Sequence, residues 1–132
     1  MKDSCDTFKI TYKTKTAPRI NGAVFRSIKE TVLGEAYDLS LVFVGDKLAK
    51  KLNKTYRQKE YATDILSFSI DDTSGEIFIN PTAAVKKAKE FGRTEKNYFM
   101  FLFIHGLFHL KGMDHSAIME REEKKVRKTF NV

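Results

Sequence analysis

The chain has 132 residues, 42% of them hydrophobic, with 24 basic and 17 acidic side chains and a formal net charge of +7. That length suits a single domain, residues 1–132, able to bury roughly two-thirds of its unfolded surface. No stretch is long and apolar enough to span a bilayer, Met1–Asp6 lacks the apolar run of a secretory signal, and the lone Cys5 cannot form an internal disulfide. A cytoplasmic protein with no membrane partner is expected. The excess positive charge favours a polyanionic partner, nucleic acid before anionic lipid.

Phe8, Ile10 and Tyr12 alternate with polar residues and predict a half-buried strand that ends at Ala17-Pro18. Asn21 and Gly34 bracket a helical pattern with Val24, Ile28 and Val32 on one face. Leu39 to Val44 is a nearly continuous apolar run, the mark of a strand buried on both faces. Asp46 is placed to cap the next helix, whose Leu48, Leu52 and Tyr56 recur at helical spacing. Ile65–Ile70 and Glu76–Ile79 read as a hairpin joined by Asp71-Asp72-Thr73-Ser74-Gly75.

The second half reads as helices. Asn80-Pro81 gives an N-cap and a first-turn proline, and Gly92 ends that helix. Thr94 caps the next, which runs through Phe99, Phe103, His105 and His109 to Gly112 and is apolar nearly all round, as a central packed helix would be. Ser116 opens a last helix with Met119, Val126 and Phe130 inward and its Glu/Lys set in water. The expected fold is α+β (mixed α/β): about four strands in a mixed sheet, about five helices, and a buried central helix carrying two histidines.

All three histidines, His105, His109 and His115, fall within eleven residues. Spacing i, i+4 puts His105 and His109 on one helical face, and Gly112 lets the chain turn back to bring His115 to the same point. Three imidazoles make a three-ligand site for one zinc ion with a fourth position left to water, the pattern of catalytic rather than structural zinc. The spacing matches the long zinc signature of metzincin-type proteases, which need a glutamate directly after the first histidine as general base. Here that residue is Gly106, which counts heavily against a protease.

The segment His-Gly-Leu-Phe-His-Leu-Lys-Gly-Met-Asp-His (residues 105–115) resembles the hallmark of the YbeY family of metal-dependent endoribonucleases, which act in ribosomal RNA maturation. Leu52-Asn53-Lys54-Thr55-Tyr56-Arg57 with Thr63-Asp64-Ile65-Leu66-Ser67-Phe68 resembles a second family block, and Gly75–Asn80 a looser third. Phe108, Met113 and Ser69 depart from the family pattern at packing positions. The resemblance implies a single-strand-specific endoribonuclease of ribosomal RNA processing and ribosome quality control that uses a zinc-activated water. It implies His105, His109 and His115 as zinc ligands, with His109 and Arg57 catalytic and Arg57 the basic residue of the RNA cleft. The implied partners are ribosomal RNA or a ribosomal subunit, and beyond these a ribosomal protein or assembly GTPase.

Lys50, Lys54 and Arg57 share a helix face at i, i+4, i+7 that could neutralise successive phosphates. The lysines taken alone read as a solvated face, and the family resemblance singles out Arg57. Lys86, Lys87, Lys89 and Arg93 read as a solvated face, and Phe99, Phe101 and Phe103 as core. Asp64 suits bracing as well as catalysis, Ser67 either a cleft or a backbone partner, and Asp114 the orienting of a histidine. Two other readings stay open: a non-catalytic ribosome assembly factor that binds RNA or a ribosomal protein, and another zinc hydrolase.

Overall fold

The computed structural model describes residues 6–17, 19–113 and 116–132. Cys5, the strand-ending Pro18, Asp114 and the third histidine, His115, lie outside the described residues. Strands β1 (Phe8–Tyr12), β2 (Asp38–Phe43), β3 (Ile65–Asp71) and β4 (Ser74–Ile79) form one sheet in the order β1-β2-β4-β3. β2 pairs in parallel with both β1 and β4, and β3 pairs antiparallel to β4 at the sheet edge. Five helices accompany them: α1 (Gly22–Leu33), α2 (Asp46–Arg57), α3 (Pro81–Glu90), α4 (Glu95–Leu110) and α5 (Ala117–Thr129). The mixed sheet and the helix count match the α+β expectation.

β2 is buried on both faces because it lies inside the sheet between two layers. Leu39, Leu41 and Phe43 join Phe25 and Ile28 of α1, Ala84 and Ala88 of α3, and Phe99, Phe103 and Leu107 of α4 in the main core. Val42 and Val44 point the other way, onto a small cluster with Ala49 of α2. α4 is the central helix, packed against β3, β4, α1, α3 and α5. Thr94 caps it by accepting from the Asn97 N–H at 3.1 Å, as Asn21 caps α1 and Ser116 caps α5. Among the described residues no helix is long and apolar enough to cross a membrane.

Three local expectations are corrected. Gly45, not Asp46, is the N-cap of α2. The Asp46 carboxylate instead accepts from Asn80 Nδ2 at 2.6 Å, tying α2 to the start of α3. The inward face of α2 is also rotated: Ala49 and Asn53 are buried while Tyr56 is 64% exposed. The back layer is too thin to cover a full apolar stripe, and Asn53 is drawn inward by polar bonds. Its Nδ2 donates to the Tyr61 carbonyl at 2.9 Å, and its backbone carbonyl accepts from the Lys59 N–H. The β3–β4 connection is shorter than five residues, since only Asp72 and Thr73 separate the strands. Asp71 makes this possible by accepting from the Thr73 N–H and the Ser74 hydroxyl, both at 2.9 Å, with a register shift between Ser69 and Asp71.

Candidate metal centre and cleft

Gly106 sets how α4 meets the sheet. A Cβ built there would stand 2.8 Å from Ser67 Oγ, 3.0 Å from Ile65 Cδ1 and 3.1 Å from Ile77 Cδ1. The helix therefore lies directly on β3 and β4, and the Ser67 hydroxyl donates to the Gly106 carbonyl at 3.4 Å. A glutamate after His105 has no space, so packing as well as chemistry excludes the protease base.

His105 and His109 then emerge one turn apart at the open edge of the sheet. His105 Nδ1 lies 3.1 and 3.2 Å from the two carboxylate oxygens of Glu123 on α5. His109 Nδ1 lies 3.2 Å from the Met113 carbonyl. Both partners only accept, so each ring carries its proton on Nδ1 and donates it outward. The two Nε2 atoms lie 3.1 Å apart. That spacing is close enough for one cation, or one shared proton, to be held by both rings. The donor set fits a soft or borderline divalent ion bound through Nε2. Among the described residues no group of three or more His, Cys, Asp or Glu gathers at metal-binding distance; the expected third ligand lies outside them.

Glu123 is the residue that the sequence reading missed. The sequence pattern puts it with the solvent-facing acids of α5, yet its side chain is only 8% exposed. Arg127 Nη1 lies 3.6 Å from its Oε1 and is itself largely buried. The signal was present: Glu123 is four residues after the buried Met119, on the same helical face. Phe101 also departs from the core reading. It is half-buried, with the Arg93 guanidinium 4.4 Å and the Arg127 guanidinium 5.2 Å from its ring centre.

In front of the histidines lies a cleft of about 580 Å³ lined by Tyr56, Arg57, Asp64, Ser67, Phe68, His105 and His109 among others. Arg57 is exposed at the last turn of α2, with Lys50 and Lys54 exposed along the same helix. Asp64 lines the cleft but also braces it, since Tyr98 Oη donates to its Oδ2 at 3.1 Å inside the protein. Burial, and then the Asp64 charge, push the Tyr98 phenol well above its ordinary pKa. Burial does the same to Tyr37. Unfolded tyrosine ionises near pH ~10, so above that pH the unfolded chain holds fewer protons and stability falls as pH rises. Tyr98→Phe is expected to flatten that alkaline decline while costing about 1–3 kcal/mol at neutral pH, because Asp64 loses its donor. Urea unfolding at pH 7 and above 10 tests both parts, and an unchanged alkaline slope would refute the first.

A sheet edge, a glycine-seated helix and a facing imidazole pair beside a basic helix end define a class of α+β protein with a helix-borne candidate metal centre. The family model described as Endoribonuclease YbeY matches residues 3–131, and the chain belongs to that family. A protein of Alkaliphilus metalliredigens named Endoribonuclease YbeY is 41% identical over 102 residues, covering 69% of this chain and 66% of the relative. One of the same name from Ureaplasma urealyticum is 42% identical over 90 residues, covering 64% and 56%. One from Finegoldia magna is 36% identical over 108 residues, covering 73% and 71%. The chain thus spans just under two thirds, or less, of the first two relatives. The solution structure of TM1509 from Thermotoga maritima superposes with a TM-score of 0.65 at 26% identity, covering 94% of this chain and 89% of that one.

Proposed function

We propose that this protein is a zinc-dependent endoribonuclease of single-stranded RNA, acting on ribosomal RNA during its maturation as a single domain in the cytoplasm. His105, His109 and His115 hold the ion and Arg57 holds the scissile phosphate. The observation that carries this reading is the pair of Nε2 atoms 3.1 Å apart, in the same cleft as Arg57. The shared family and the name Endoribonuclease YbeY carried by its relatives support the RNA substrate.

A bound ion supplies Lewis acidity to the phosphate and to an attacking water. The rest is the work of the chain. Glu123 and the Met113 carbonyl fix each imidazole in the tautomer whose Nε2 faces the cleft. Arg57 grips two phosphate oxygens at once and offsets charge that grows in the transition state. Lys50 and Lys54 run away from Arg57 along α2 and suit the next phosphates of the strand. A ribosomal subunit, with a ribosomal protein or assembly GTPase, is the proposed setting.

Metal analysis of purified protein, paired with an RNA cleavage assay, tests the reading. Wild type is expected to hold one zinc and cleave single-stranded RNA, and His115→Ala to lose most of both. Arg57→Ala is expected to keep the metal and lose roughly 10²–10³ in kcat. Equal metal in wild type and His115→Ala would undercut the three-ligand site. Metal-loaded protein that binds ribosomal subunits and never cleaves RNA would establish the assembly-factor reading.

A further inference from the structure

Tyr56 is an anomaly for the last member of a helical apolar repeat: it is 64% exposed and lines the cleft beside Arg57. It does not hang loose. Its ring centre lies 4.9 Å from that of Phe68 at 58°, and Phe68 lies 5.7 Å from Phe78 in an edge-to-face arrangement. Phe78 in turn packs on the small back-layer cluster of Val42, Val44 and Ala49. Three rings thus step outward from a buried cluster to the rim of the cleft, and the last stands mostly in water.

We infer that the ring of Tyr56, propped on Phe68 and Phe78, is a stacking platform for an unpaired nucleobase next to the phosphate held by Arg57. This inference rests on the proposed ribonuclease reading for its substrate. Three features favour a base as the occupant. The Phe68 ring meets Tyr56 at a steep tilt, and Tyr56 stays 64% exposed. The supporting rings fix the side chain in advance, so little rotamer freedom is lost when a flat ligand settles on it. Arg57, the proposed phosphate grip, lines the same cleft, and a base and its phosphate are joined through one sugar, so one nucleotide would meet both side chains. Stacking is sequence-tolerant because every base offers a flat π face. It also discriminates by strandedness, since a base in a duplex already has both faces covered. Tyr56 would therefore be the residue that selects single strands, while the histidines and Arg57 act on a backbone common to both forms.

The test uses the metal-loaded full chain and single-stranded RNA oligonucleotides of one sequence, carrying 2-aminopurine or an abasic site at successive positions. Stacking on Tyr56 is expected to quench 2-aminopurine at one position, and an abasic site there is expected to raise KM. Tyr56→Ala should abolish the quenching and raise KM by roughly five- to 150-fold, with a smaller change in kcat. It should also erase the added effect of the abasic site and narrow the preference for single strands over duplex. Tyr56→Phe and Tyr56→Trp should restore all of these. Tyr61→Ala, removing another exposed tyrosine (54%) that does not line the cleft, should match wild type. Quenching and KM unchanged in a folded Tyr56→Ala protein that still cleaves RNA would overturn the inference and leave the nuclease reading standing. Quenching that depends on Tyr56 in a protein that cleaves no RNA would support the platform and remove the nuclease reading.

Discussion

Glu123→Ala is expected to weaken zinc binding by roughly ten- to a hundred-fold, the usual effect of removing the outer partner of a ligating histidine. The cause is orientation and basicity. Without the carboxylate at 3.1 Å, the His105 ring can rotate and adopt the other tautomer, and its Nε2 loses electron density to share. Glu123→Gln should fall between the two proteins, because its amide oxygen still accepts from Nδ1 but carries no charge. Competition against a chromogenic chelator measures the affinity directly, without reference to activity. The substitution also leaves the largely buried Arg127 guanidinium without its carboxylate, so unfolding should be measured on the same variants. A folded Glu123→Ala protein that binds zinc as tightly as wild type would show that His105 needs no such support.

Gly106→Ala is expected to destabilise the fold although alanine is the better helix former. Helix propensity contributes about 1 kcal/mol in favour of the change. Against it stand three atoms within 3.1 Å of the new methyl group, and overpacking of this kind costs about 1–3 kcal/mol. The steric effect wins because the nearest atom, Ser67 Oγ, belongs to a short side chain on a paired strand and cannot swing far. Gly106→Glu should cost more than about 4 kcal/mol, since it adds a buried carboxylate without a partner. Ser67→Ala removes the closest atom, so the double variant Gly106→Ala/Ser67→Ala should recover part of the loss. Urea unfolding of the four proteins in that cycle gives the coupling, and simple additivity would mean the clash lies elsewhere.

The elements that were legible in the sequence are those whose signal is local. Asn21, Asn80, Thr94 and Ser116 announced their helices because a capping side chain bonds its own first turn. The run from Leu39 announced a strand covered on both sides, and the histidine spacing announced a shared face. What escaped depends on how much cover another layer supplies. Tyr56 fits an apolar repeat, but the layer behind α2 is too small to enclose it. Glu123 looks like one more acid on a charged helix, yet it points inward because a histidine on a different helix needs an acceptor there. Asp71 reads as a loop residue until its carboxylate folds the turn around itself. For Tyr56 and Glu123, sequence distance hides the partner that decides the outcome.

The two bonds that orient the imidazoles come from outside the helix that carries them. One comes from α5 and the other from the carbonyl of Met113, just past the end of α4. An ion held by these histidines would therefore be thermodynamically linked to the seating of the C-terminal helix. Whatever free energy α5 contributes to ion binding by presenting Glu123 to His105, the ion returns by fastening α5 to α4. The last thirteen-residue helix is then a clasp as well as a cover, and the grip on the ion and the closure of the fold rise and fall together.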